Sequence, residues 1–178
     1  ILMQSNLLIT GGCGFIGSNF INYIFKKNKY NIINIDALYY CANKNNVNIE
    51  IRESKNYTLI KGNLCSEDLV THILECYKIK EVIHFAAQSH VQNSFSDALQ
   101  YTKDNILGTH VLLECCRKYG KIKRFIHVST DEVYGESMNI VNENHKTEHS
   151  ILCPTNPYAA TKAGAELIAQ SYNHSFNM

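Results

Sequence analysis

The sequence has no excess of charge, no long apolar run and no cysteine motif, and each absence disfavours a class of protein. Its 17 Lys and Arg and 16 Asp and Glu leave a formal net charge of +1, without the basic surface that nucleic-acid binding requires. No apolar run approaches the length of a membrane span. The seven cysteines form no CxxC pair and are odd in number, which favours a reducing compartment. We therefore expect a cytoplasmic protein without a metal site, a nucleic-acid partner or a membrane partner.

The apolar residues that are present form short continuous runs separated by helical patterns. We predict strands over residues 6–10, 30–36, 57–63, 81–87 and 124–130, and helices over residues 15–25, 67–78, 97–120 and 157–172. Continuous apolar strands joined by helices indicate a parallel sheet that is covered on both faces. The 178 residues are enough for one domain. We predict an α/β fold of the Rossmann type, doubly wound, with strand order 3-2-1-4-5.

A glycine-rich loop lies between the first strand and the first helix. The stretch "ITGGCGFIGSNF" places Gly11, Gly14 and Gly17 where a sharp turn would bring the backbone against a pyrophosphate at a helix N-terminus. Asp36 ends the second strand about 20 residues later, where a ribose-binding acid belongs. Because an acid there would repel a 2′-phosphate, the pattern predicts NAD rather than NADP.

A tyrosine and a lysine lie four residues apart at the start of the last predicted helix, and so on one of its faces. We expect Lys162 to lower the pKa of Tyr158 by favouring the phenolate, so that Tyr158 can act as a base toward a hydroxyl. This pair lies beside the C-terminal edge of the predicted sheet, where ligands bind. The same spacing occurs in other contexts at Tyr23/Lys27, Tyr40/Lys44, Tyr57/Lys61 and Tyr119/Lys123.

Two adjacent acids follow the fifth predicted strand in the stretch "STDEVYG". Neighbouring residues on a strand point to opposite faces, so Asp131 and Glu132 can serve one site only if the strand ends first. We therefore expect the chain to turn near Ser129 or Thr130, with both carboxylates facing a cleft. The alternative is a solvated loop that carries two surface charges.

Five stretches resemble the extended short-chain dehydrogenase/reductase family, and more narrowly the nucleotide-sugar 4,6-dehydratases. They are "TGGCGFIG", "HFAAQSHVQNS", "NILGTHVLLE", "VSTDEVYGE" and "TNPYAATKAGAE". The resemblance implies that Thr130 hydrogen-bonds the sugar 4-hydroxyl and that Tyr158 removes its proton as hydride passes to NAD. It further implies that Lys162 holds the nicotinamide ribose, that Glu132 takes the carbon-5 proton and that Asp131 protonates the leaving 6-hydroxyl.

The resemblance also implies which residues bind the cofactor and the substrate. Ser89, His90 and Thr130 are expected at the substrate. Those expected at NAD are Gly11, Gly14, Phe15, Ile16, Gly17, Asp36, Asn63, Leu64, Ala86, Ala87, Tyr158 and Lys162. Asn63 departs from the aspartate that is common in the family at the adenine, and Gln92 and Asn93 depart from the usual pair after the histidine.

Family members are nearly twice as long as this chain, so we expect residues 1–178 to be an NAD-binding domain without the C-terminal substrate domain. Such a fragment would bind NAD with little turnover. The resemblance also implies a homodimer of the family's usual kind, through residues 97–119 and 158–176. The expected activity of the full-length parent is NAD-dependent conversion of UDP-glucose, favoured over dTDP-glucose, to a 4-keto-6-deoxy sugar. A nucleotide-sugar 4-epimerase and a non-catalytic NAD-binding module remain the alternatives.

Overall fold

The computed structural model describes residues 5–135 and 145–178, and its centre is a five-stranded parallel sheet. The strands lie in the order β3-β2-β1-β4-β5, as predicted from the sequence. Their bounds are β1 Ser5–Thr10, β2 Tyr30–Asp36, β3 Tyr57–Lys61, β4 Glu81–His84 and β5 Arg124–His127. The last three strands end earlier than predicted because the chain turns away from the sheet after Lys61, His84 and His127.

Helices flank the sheet and connect its strands. They are α1 Phe15–Phe25, α2 Ile49–Arg52, α3 Glu67–Cys76, α4 Val91–Ser96, α5 Ala98–Tyr101, α6 Gly108–Tyr119 and α7 Pro157–Phe176. Short 3-10 turns cover Lys44–Asn46 and Asp131–Tyr134. Helix α7 begins where Asn156 Oδ1 accepts a hydrogen bond from Ala159 N at 2.8 Å, with proline at its first position.

The core has two parts, one on each face of the sheet, because successive strand residues point in opposite directions. Leu7 and Ile9 of β1 pack toward α1 with Ile21, whereas Leu8 packs toward α3 and α6 with Leu112. All five side chains are at most 1% exposed. Strands β1 and β4 at the centre therefore hold the loops that follow them in fixed positions.

The helix predicted over residues 97–120 is interrupted. Helix α5 runs into a π-helical segment, Thr102–Leu107, which continues as α6 and ends at Gly120 with φ +66°. Helix α4 precedes it and was not predicted. A π-segment adds a residue to the turn and redirects the side chains on one face, here bringing the buried Asn105 toward the sheet edge.

Candidate active site

The glycine loop packs directly on the end of β4. Gly11 has φ +71°, and a Cβ added to it would lie 2.7 Å from the backbone N and Cα of Ala86. A Cβ at Gly17 would collide with the carbonyl oxygen of Gly11. Gly14 is the N-cap of α1 and contributes no capping side chain. Glycine at these positions leaves the backbone and the helix N-terminus open to a phosphate group.

Asn34, which the sequence analysis missed, holds this loop from the neighbouring strand. Its Oδ1 accepts from Gly12 N at 3.0 Å, and its Nδ2 donates to Tyr57 Oη at 2.9 Å. Asn34 is fully buried in the middle of β2. A buried amide between apolar strand residues was the signal in the sequence, since a polar group there must be hydrogen-bonded.

Asp36 sits at the C-terminal end of β2, as expected for an acid that binds a ribose. Its Oδ2 accepts from Cys13 N at 2.9 Å and its Oδ1 from Leu38 N at 2.8 Å. Each carboxylate oxygen has a second lone pair, so both can still accept from a hydroxyl. The two backbone donors fix the orientation of the carboxylate beside the glycine loop.

All twelve residues predicted to bind the cofactor line one cavity of about 380 Å³ along the C-terminal edge of the sheet. Ser89, predicted at the substrate, lines it too. His90 does not line it: its Nδ1 accepts from Asn93 N at 3.3 Å at the start of α4, and its carbonyl accepts from Tyr101 Oη. The structure therefore assigns His90 to capping a helix and does not place it in the cavity.

Asn63 faces the cavity, but its side chain is engaged locally. Its Nδ2 donates to Tyr39 Oη at 2.8 Å and lies 3.4 Å from Asp104 Oδ1, while its Oδ1 accepts from Cys65 N. Asp104 and Tyr39 also line the cavity and were not predicted. These contacts hold the loop after β3 against the π-segment.

Asn105, also missed, connects the loop after β4 to α7. Its Oδ1 accepts from Gln88 N at 2.7 Å, and its Nδ2 donates to Gln88 O at 3.0 Å and to Thr161 Oγ1 at 2.9 Å. Thr161 in turn donates to the carbonyl of Tyr158 at 2.7 Å. The position of Tyr158 is thus tied to the cavity wall through one buried asparagine.

Tyr158 and Lys162 are both buried and line the cavity together. Lys162 Nζ donates to the carbonyl of Val128 at 2.6 Å. Burial lowers the pKa of Lys162 to about 8, and the carboxylate of Glu166 opposes that shift. Lysine in such a site is charged at neutral pH but loses its proton more readily than usual.

The predicted effect of the lysine on the tyrosine was wrong. Burial raises the pKa of Tyr158, and the carboxylates of Glu132 and Asp131 raise it further, while a hydrogen bond with Thr130 lowers it. The physical reason is that Lys162 points its ammonium at the Val128 carbonyl, whereas the two acids lie near the phenol. Tyr158 is therefore protonated at neutral pH in this structure.

The two acids lie on a 3-10 turn rather than on the strand. Thr130 caps this turn, because its Oγ1 accepts from Glu132 N at 3.4 Å. Glu132 Oε2 accepts from Asn156 Nδ2 at 3.0 Å, and Val133 anchors the turn in the core. Thr130 and Asp131 line a groove next to the cavity. The expected turn is confirmed, and it brings both carboxylates close to Tyr158.

No candidate membrane span was found among the helices at residues 5–135 and 145–178, since none combines the required length and hydrophobicity. Across the same residues, no group of three or more His, Cys, Asp or Glu side chains is arranged to hold a metal ion.

The fold and the glycine loop define a dinucleotide-binding protein of the Rossmann class. The sequence profile of the family described as GDP-mannose 4,6 dehydratase matches residues 8–178, and the chain belongs to this family of extended short-chain dehydrogenases/reductases. The resemblance predicted from the motifs is confirmed at this level.

The most similar proteins include nucleotide-glucose 4,6-dehydratases. A trifunctional UDP-glucose 4,6-dehydratase/UDP-4-keto-6-deoxy-D-glucose 3,5-epimerase/UDP-4-keto-L-rhamnose-reductase of Arabidopsis thaliana is 49% identical over 175 residues, which is 97% of this chain and 26% of that protein. A dTDP-D-glucose 4,6-dehydratase of Dictyostelium discoideum is 48% identical over 186 residues, which is 99% of this chain and 42% of that protein.

Among solved structures, a dTDP-glucose 4,6-dehydratase of Streptomyces venezuelae, crystallised with NAD, matches with a TM-score of 0.88 and 35% identity. The match covers 97% of this chain and 53% of that one. This chain therefore spans from about a quarter to about half the length of these relatives.

Proposed function

We propose that this chain is the NAD-binding and proton-transferring part of a nucleotide-glucose 4,6-dehydratase, which makes a 4-keto-6-deoxy sugar from a nucleotide-glucose. The observation that carries the proposal is the pair of carboxylates, Asp131 and Glu132, on a turn beside Tyr158 and next to the cavity that the expected cofactor residues line. Three proton-transfer groups at one sheet edge suit a reaction that removes a hydroxyl proton, removes a carbon-bound proton and expels a hydroxyl.

The lining of the cavity fits NAD through its glycines and its polar groups. Gly11, Gly14 and Gly17 keep the backbone open where a pyrophosphate would lie, and Asp36 offers carboxylate oxygens for the hydroxyls of a ribose. NAD held there would supply reversible hydride transfer, as the acceptor for sugar carbon 4 and as the donor for carbon 6. Lys162, buried and positively charged at neutral pH, would bind the hydroxyls of the second ribose.

Each remaining step is assigned to a side chain of this chain. Thr130 binds the sugar 4-hydroxyl, and Tyr158 accepts the proton from it. Glu132, which Asn156 holds by one carboxylate oxygen, takes the proton from carbon 5. Asp131 gives a proton to the 6-hydroxyl as it leaves. Because burial raises the pKa of Tyr158, the proposal requires the Lys162 ammonium to turn from the Val128 carbonyl toward the phenol, which must lose its own proton before it can accept this one.

The nucleotide and the assembly belong to the same proposal. We favour UDP-glucose, in line with the Arabidopsis relative, with dTDP-glucose as the direct competitor because the Dictyostelium relative is nearly as similar. We place the protein in the cytoplasm as a homodimer through the helical surfaces at residues 97–119 and 158–176, where Leu99 is 85% exposed and Leu167 is 53% exposed. Residues 1–178 alone would bind NAD with little turnover, since they span about half of a solved relative.

Product analysis tests the proposed activity. The full-length protein that contains this chain is incubated with UDP-glucose and, separately, with dTDP-glucose. A 4-keto-6-deoxy product, recognised by its absorbance in alkali, supports dehydration. The nucleotide-glucose that is converted faster is the preferred substrate. Formation of the galactose epimer would instead support a 4-epimerase. Binding of NAD with neither product would support a non-catalytic module.

A further inference from the structure

Helix α7 is tied to the segment that leads into the 3-10 turn at consecutive residues. Lys162 Nζ donates to the carbonyl of Val128 at 2.6 Å, and Ser129 Oγ donates to Glu166 Oε2 at 2.5 Å. Lys162 and Glu166 are one helical turn apart, so they face the same side of α7. The two bonds fix the position of the segment along the helix as well as its distance from it.

The bond between Ser129 and Glu166 lies immediately before the residues that need precise placement. Thr130, Asp131 and Glu132 follow Ser129 directly. Two further hydrogen bonds join them to α7 and its cap, one between Thr130 and Tyr158 and one from Asn156 to Glu132. Strand β5 ends at His127, and Val128 N still donates to the carbonyl of His84 at 3.1 Å, so Ser129 is the first residue beyond this bond. Hydrogen bonds to a carboxylate are stronger than neutral ones, which makes the Ser129–Glu166 pair an effective anchor.

We infer that Glu166 is a positioning residue, which holds Ser129 through its carboxylate and thereby places Thr130, Asp131 and Glu132 against Tyr158. This inference rests on the proposed function, because it assigns Glu166 a part in the same site. Glu166 touches neither the substrate nor the cofactor in this account, and it acts through Ser129.

The carboxylate of Glu166 has a second, electrostatic effect on the same helix. Burial lowers the pKa of Lys162, and Glu166 raises it. The groups facing Lys162 from the sheet are His84 on β4 and His127 on β5, whose pKa values burial lowers, to about 4 for His127. Both histidines are therefore neutral at neutral pH, and Glu166 helps to keep Lys162 charged.

Three variants separate the effect of the Ser129–Glu166 hydrogen bond from the effect of the negative charge of Glu166. Ser129→Ala removes the hydrogen bond and keeps the carboxylate, whereas Glu166→Gln keeps an acceptor oxygen for Ser129 and removes the charge. Glu166→Ala removes both. Gln170→Ala is the matched control, because exposed Gln170 donates to the other oxygen of Glu166 at 3.2 Å without touching Ser129.

In the full-length protein that contains this chain, we expect Ser129→Ala and Glu166→Ala to lower kcat by about 10-fold or more. The double variant should lose no more than Glu166→Ala, because the two residues act as one unit. Glu166→Gln should retain kcat near neutral pH. As the pH is raised, however, its rate and NAD affinity should begin to decline at a lower pH than in the wild type, because Lys162 loses its proton earlier. Gln170→Ala should match the wild type throughout.

Hydrogen exchange at the amides of residues 130–135 provides a readout that does not depend on turnover. Faster exchange in Ser129→Ala and Glu166→Ala, but not in Glu166→Gln or Gln170→Ala, supports the role of the Ser129–Glu166 hydrogen bond in holding the turn. Exchange rates and kcat indistinguishable from the control, or additive losses in the double variant, would overturn it. If the wild type made no 4-keto-6-deoxy sugar, the proposed function would fail, while the exchange result would still decide the anchor.

Discussion

Replacing Asn34 with alanine should destabilise the protein through the glycine loop. The change removes the acceptor of Gly12 N–H at 3.0 Å and the amide that donates to Tyr57 Oη at 2.9 Å, so one buried donor and one buried acceptor lose their partners. Each unsatisfied buried polar group costs about 1–3 kcal/mol, so we expect a loss of about 2–6 kcal/mol in the free energy of unfolding. Urea unfolding measures this loss, and NAD titration measures the accompanying loss of affinity.

Asn31→Ala is the matched control for this prediction. Asn31 lies on the same strand but is only half-buried, and its Nδ2 makes one side-chain bond, to Asn6 Oδ1 at 2.9 Å. Its removal should cost about 1 kcal/mol and should leave NAD affinity unchanged. If Asn34→Ala were no more destabilising than Asn31→Ala, the argument that Asn34 supports the loop would be refuted.

Two further predictions concern backbone space and a buried charge. Gly11→Ala should weaken NAD binding at least about 10-fold, because it combines left-handed backbone strain with a contact at Ala86. Gly120→Ala carries similar strain, but its Cβ would meet only the Arg117 carbonyl oxygen, at 3.9 Å, so the change should reduce stability alone; equal NAD affinity in both variants would contradict us. Lys162 has a lowered pKa of about 8, so the folded state loses its proton before the unfolded state does. The stability of the wild type relative to Lys162→Met should therefore rise by about 1.4 kcal/mol from pH 7 to pH 9 in urea unfolding, and a flat difference would disprove the shift.

The sequence predicted the sheet well because the strands carry a strong local signal. A continuous apolar run such as β2 is typical of a buried parallel strand. A glycine-rich loop after the first such strand is typical of the Rossmann fold, whose strand order is 3-2-1-4-5. The turn at Thr130 was also predictable, since two acids at the end of a buried strand could share one site only if the strand stopped. The cavity then gathers the predicted cofactor residues because parallel strands end at one edge.

The parts that were missed depend on contacts between residues far apart in sequence. Asn34 and Asn105 act through hydrogen bonds that close only when β2, the π-segment and α7 are packed together. The direction of the pKa shift of Tyr158 was wrong for the same reason, because spacing along a helix does not reveal that Lys162 binds Val128. The role expected for His90 at the substrate stays a prediction, whereas its capping of α4 could not be read from its position after β4.

The central claim is that Glu132 and Tyr158 act on one sugar at successive steps, and single-turnover spectroscopy of Glu132→Gln tests it most directly. In this variant, oxidation at carbon 4 should proceed while removal of the carbon-5 proton stops. We predict that absorbance of reduced nicotinamide appears on mixing with the nucleotide-glucose and persists, with no 4-keto-6-deoxy product. Product formation at a rate near that of the wild type would contradict the assignment of Glu132 as the carbon-5 base.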